Sequence, residues 1–211
     1  MLRRRVLVFL LTAAFLAAVM PSASASPVTV SFSGMVTDDP FGLGFSTFTG
    51  TYTFDSAASD GAADPSTGSY TSVGPTYGIS AIFDSGAATA NVAGMLNIGI
   101  ANDFAGPVDQ YTATGLAGVT ELGLFLEDTN ASVFSSDALP ALPPPLAAFV
   151  FRQFRWFDTD IEILGTIDTL ACINGCGAIP APEPGTAALL AMALPLLWAA
   201  RRRSTRSVVP S

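Results

Sequence analysis

The chemistry open to this chain is narrow. Its 211 residues contain no His and no Lys, and all nine basic residues are Arg. Ser-His-Asp, Cys-His and Ser-Lys arrangements are therefore excluded, and so is a His-ligated metal centre. Acid–base work near neutral pH falls to carboxylates, Tyr and thiols. A carboxylate pair is enough for glycoside hydrolysis, but sixteen acids between Pro27 and Pro182 make some pairing inevitable by chance. A carboxylate-dependent hydrolase is thus the weakest reading, and the chain is read as non-enzymatic. Asp55, Asp60 and Asp64, in "DSAASDGAADPSTGS", offer hard oxygen ligands of the kind Ca²⁺ takes. Their spacing does not match the EF-hand loop, and Asp among Gly and Ser is ordinarily a solvated turn residue. Asp158, Asp160 and Glu162, in "FDTDIE", form a second acidic cluster, read first as a solvated strand face. "FVFRQFRWF" (149–157) sets Arg152 and Arg155 among five aromatics. Exposed, Trp156 and Arg155 would stack on sugar rings or hold an acidic polysaccharide; otherwise the aromatics are core. A carbohydrate-binding module, Ca²⁺-assisted or not, is the alternative function, and no cofactor is expected.

The elements that must position these residues read as strands. From Ser26 to Cys172 helical periodicity is hard to find, while short alternating stretches recur between turn residues. In "STFTGTYTFD" (46–55), Phe48, Gly50, Tyr52 and Phe54 share one face, and Thr47, Thr49, Thr51 and Thr53 share the other. "PVTVSFSG" (27–34) places Val28, Val30 and Phe32 inward in the same way. Further strands are predicted within 76–84, 94–101, 119–128, 147–158 and 161–171. Seven or more strands at this spacing predict an all-β fold, an antiparallel β-sandwich of jelly-roll-like or Ig-like kind over 26–172, with a closed barrel as the variant.

Charge is unevenly placed. Between Pro27 and Pro182 two Arg stand against sixteen Asp and Glu, a net −14. Such a body repels nucleic acid and anionic lipid. Arg3, Arg4 and Arg5, the apolar run Val6–Met20 and the small-residue site Ala23-Ser24-Ala25 predict a signal peptide over 1–25, handled by signal peptidase and the general export machinery. In an exported chain the two Cys, Cys172 and Cys176, favour a disulfide, with Asn174-Gly175 turning the chain between them.

Residues 173–185 form a Cys/Pro-rich spacer ending in Pro182-Glu183-Pro184. The apolar run 186–200 follows, about 22 Å long as a helix against a bilayer core of about 30 Å. Arg201, Arg202 and Arg203 then open an Arg-rich tail, 201–211. The ordered triple of Pro-Glu-Pro, apolar segment and Arg cluster resembles the PEP-CTERM sorting signal of exported proteins in exopolysaccharide-producing Gram-negative bacteria. The resemblance implies an exosortase as partner, cutting at or near Pro182-Glu183-Pro184. It also implies a transient inner-membrane anchor through one C-terminal transmembrane helix. Arg201–Arg203 would hold the C-terminus on the cytoplasmic side, and delivery to the cell surface or polysaccharide matrix would follow. The body then becomes a structural or adhesive component, with extracellular polysaccharide as a further partner.

Overall fold

The computed structural model describes residues 27–84, 86–104 and 106–177. Eight strands follow in chain order: β1 (Pro27–Asp38), β2 (Thr47–Asp55), β3 (Thr67–Phe83), β4 (Ala88–Ala101), β5 (Asp109–Ala117), β6 (Thr120–Asp128), β7 (Phe151–Asp158) and β8 (Ile161–Asn174). A three-residue 3₁₀ turn, Leu146–Ala148, precedes β7. Each strand pairs antiparallel with the next, and β8 returns to pair with β1, closing an up-and-down barrel. "DQYTATGLA", which carries no strand expectation, is β5, and β3 and β4 begin at Thr67 and Ala88, ahead of the expected 76 and 94.

The expected sandwich is overturned by the β1–β8 pairing, from Thr29↔Asn174 to Asp38↔Leu164. A sandwich splits its strands into two sheets and leaves edges; here one sheet closes and leaves none. Closure needs bending, and the irregularities that supply it lie in the ladder. Register shifts occur between Thr29/Val30, Ser33/Gly34 and Val36/Asp38 in the β1–β8 pair, and between Gly74/Gly78 in β3–β4.

Alternation decides what fills the closed sheet. Phe48, Tyr52 and Phe54 of β2 point inward and are buried, as are Val28, Val30 and Phe32 of β1. The Phe154 ring, fully buried, stacks on Phe48 at 4.3 Å and lies 5.9 Å from Phe32. Burying one such side chain contributes about 1.5–3 kcal/mol. Space for these rings comes from inward glycines: a Cβ on Gly165 would collide with the Phe48 ring. Tyr52 and Tyr111 are also fully buried, and their hydroxyls satisfy each other at 3.0 Å. Burial pushes both phenols above their ordinary range. On β1 and β2 the inward side chains are apolar and the outward ones mostly Ser and Thr, while Val73, Ile82, Met95 and Phe151 are apolar side chains exposed on other strands.

Among the described residues no helix is long and apolar enough to cross a membrane. The expected C-terminal transmembrane helix and its transient inner-membrane anchorage thus find no support in the structure, and neither is carried further. The segments named for the signal helix, the sorting helix and the tail (1–25, 186–200 and 201–211) lie outside the described residues.

Candidate functional surface

Outside the barrel, the alternation that buries Phe48 and Tyr52 exposes hydroxyls in rows. Thr29, Ser31 and Ser33 of β1 lie opposite Thr53, Thr51 and Thr49 of β2. Ser80 of β3 extends the Ser31–Thr51 row and pairs in turn with Asn91 of β4. Thr169 of β8 extends the Ser33–Thr49 row on the other side. Neighbouring strands are about 4.8 Å apart, and same-face residues on one strand are about 6.8 Å apart, so the hydroxyls form a two-dimensional array. Some bond each other across strands: Thr29 to Thr53 at 3.0 Å, Ser33 to Thr169 at 2.6 Å, and Thr51 to Ser80 at 3.4 Å.

Two shallow depressions mark this face. One, of about 390 Å³, spans β8, β1, β2 and β3 over Ser33, Thr49, Thr51, Ser80 and Ile82. The other, of about 190 Å³, lies across β2, β3 and β4 beside Pro75 and Tyr77. They share Thr51 and Ser80, and neither is lined by a charged residue. The wall of the second is a bulge. Pairing passes from Gly74↔Gly94 to Gly78↔Ala93, so Pro75, Thr76 and Tyr77 are left without partners on β4. Gly74 (φ 144°) and Gly78 (φ 152°) turn the chain into and out of it in a region that only glycine enters readily. The half-buried Tyr77 lies over Gly74, 3.6 Å from where a Cβ would stand. Burial, and then the Asp55 charge, push its phenol upward, so the ring stays neutral at physiological pH.

The charged and aromatic candidates are otherwise engaged. Arg155 donates to Glu162 at 2.9 Å, lies 3.6 Å from Glu121 and sits over the Phe157 ring at 5.5 Å. Trp156, the next residue, points to the other side of β7, half-buried and 5.1 Å from the Phe83 ring. Its indole N–H is buried without an acceptor among the described residues. Trp156 and Arg155 are therefore not brought together as one sugar-binding face. Asp158 takes the Thr159 hydroxyl at 3.3 Å, Asp160 lies exposed in the following turn, and Glu162 is held by Arg155.

The three Asp of the 55–69 loop fold backbone. Asp55 accepts from Ala57 N at 2.8 Å, Asp60 from Ala62 N and Ser69 N at 2.9 Å each, and Asp64 from Ser66 N at 2.9 Å. No group of three or more Cys, Asp or Glu among the described residues is placed to hold a metal ion.

Two carboxylates that the sequence did not single out are more deeply placed. Asp109 and Asp128 sit opposite each other where β5 pairs with β6, and both are fully buried. Asp109 accepts from Val133 N and Phe134 N, both at 2.8 Å. Asp128 accepts from Ser132 N at 2.9 Å, Asn130 N at 3.0 Å and the Ser132 hydroxyl at 2.8 Å. The Ser132 and Asn130 backbone donors, helped by that hydroxyl, hold Asp128 below the usual carboxylate range. The available signal was position, since each Asp stands at a strand end beside turn residues. Both anchor loops.

Cys172 and Cys176 form the expected disulfide. Ala23, Ala25, Pro182, Glu183, Pro184, Arg201, Arg202 and Arg203 lie outside the described residues. Comparison of the chain with family models, curated proteins and solved structures finds no match.

Proposed function

We propose that the chain is an exosortase substrate of the PEP-CTERM kind whose barrel serves as a non-enzymatic structural or adhesive component of an extracellular polysaccharide matrix. The observation that carries the barrel's part is the uncharged hydroxyl face of β1–β3, set on a body of net charge −14. Hydroxyl groups donate and accept like those of a polysaccharide, so the face can exchange hydrogen bonds with a glycan as readily as with water. The interior is filled by aromatic and aliphatic side chains, which makes the outer wall the part of the barrel that meets a partner. Support for the address comes from Pro182-Glu183-Pro184 and Arg201-Arg202-Arg203 in the sequence.

Mass spectrometry of the protein recovered from the matrix fraction of producing cells, with and without an active exosortase, tests this reading. The expected product ends at or near Pro182-Glu183-Pro184 only when the exosortase is active. A matrix-borne protein retaining residues 186–211 would overturn the processing, and absence from the matrix fraction would overturn the role.

A further inference from the structure

The two depressions meet at Thr51 and Ser80, and the hydroxyl pair there is the loosest of the three cross-strand pairs, at 3.4 Å. Its groups are therefore the freest to bond a third partner. Beside them the Pro75–Tyr77 bulge raises a neutral aromatic side chain out of the ladder. Hydroxyls and an amide next to an aromatic wall, with no charged residue lining the trough, suit a ligand that offers both hydroxyls and apolar C–H faces. A pyranose ring offers both. Charge narrows the class further: a body of net charge −14 repels a uronate-bearing polymer, whereas a neutral one meets no such barrier.

We propose that this trough on the outer wall of β1–β4 binds a neutral polysaccharide, with Tyr77 packing against a sugar face and Thr51, Thr53, Ser80 and Asn91 bonding its hydroxyls. The inference rests on the matrix reading above and names its partner. Arg155, Trp156 and the 55–69 acidic loop take no part, and the binding needs no Ca²⁺.

Native affinity electrophoresis of the full chain, in gels containing mixed-linkage β-glucan or alginate, tests the proposal. Migration should be retarded by the glucan, with and without chelator, and unaffected by alginate. Tyr77→Ala should weaken glucan binding about tenfold, and the double variant Thr51→Ala/Ser80→Ala should do the same. Tyr77→Phe should retain binding, as should Arg155→Ala. Because Thr51 and Ser80 face outward, the double variant reports on the trough even if Tyr77→Ala folds poorly. Unweakened binding by the double variant and by a folded Tyr77→Ala would overturn the trough while leaving a glycan-binding matrix protein. Binding to alginate instead, or dependence on Ca²⁺, would overturn the ligand class. Failure to bind the glucan, in a protein that still fractionates with the matrix, would overturn this inference alone.

Discussion

Where β1 turns into β2 and β3 into β4, the barrel is plugged with rings: Phe45 stacks on Phe83 at 4.8 Å, and Trp156 follows at 5.1 Å. No loop at this end exceeds the eight residues of 39–46, and Asp84 secures that loop from a partly exposed position by accepting from Thr47 N and Ser46 N. The opposite end carries the two longest connections, 56–66 and 129–150, with the seven-residue 102–108 between them. Its plug combines apolar side chains such as Val133, Phe134 and Leu146 with the buried carboxylates of Asp109 and Asp128. The Tyr70 hydroxyl adds a bond to the Asp137 carbonyl at 3.0 Å, and the disulfide closes the last turn. The difference follows from loop length. In 39–46 the turn's own carbonyl and one partly exposed Asp serve the backbone, whereas a 22-residue connection laid over the barrel mouth brings buried N–H groups that need acceptors. An ionised carboxylate satisfies several at once, and such bonds are about twice as strong as neutral ones.

This contrast can be broken by mutation. Phe83→Ala empties the centre of the aromatic plug and should cost about 4 kcal/mol in chemical denaturation. A loss under about 1 kcal/mol would mean that the rings merely cover the end. Asp109→Ala strands the N–H groups of Val133 and Phe134 and should cost about 3 kcal/mol. It should also raise amide exchange across 129–150 while leaving exchange in 39–46 unchanged. Equal exchange at both ends would show that the two plugs are one cooperative unit. Removing the disulfide by Cys172→Ser with Cys176→Ser should cost about 2 kcal/mol or less, because the loop it closes is so short.

Acid should have the smallest effect. The folded pKa of Asp128 lies below its unfolded value, so the stability it supplies is fully present above the unfolded pKa. That contribution is lost as pH falls through the lower, folded value. Thermal melts of Asp128→Asn should therefore show a flatter loss of stability below about pH 4, where an unperturbed Asp titrates. Phe83→Ala should shift the whole curve without changing its slope. An unchanged slope in Asp128→Asn would reassign the acid sensitivity to the other carboxylates held low, Asp64 in 56–66 by Ser66 and Asp84 at the other end by Thr47 N and Ser46 N.

Much of this was legible locally and little of it globally. "STFTGTYTFD" gave both faces of β2 because alternation is a nearest-neighbour property. β5 carries little signal because its inward residues, Tyr111, Ala113 and Gly115, include only one large side chain among hydroxyls and small residues. Closure stands only as the variant of a sandwich in the sequence, because the pairing of Val30 with Cys172 depends on curvature accumulated over eight strands and no short window carries it. For the site, charge and aromatic density single out Arg155 and Trp156, which the fold sends to opposite sides of β7. The threonines of β2 were seen only as an outer face; their alignment with Ser31 and Ser80 exists only once three strands are in register. Tyr77 had no signal of its own, since the bulge that raises it is defined by its partner strand.

The β1–β8 seam also has a mechanical meaning. Pro27 and Asn174 lie at the same end of two antiparallel neighbours, so a pull on the chain through these two points loads the seam one hydrogen bond at a time. Such a seam unzips at low force, whereas strands pulled from opposite ends must break their bonds together. Held by both flanks, the barrel would act as a compliant link that opens under load and lengthens before the backbone is strained.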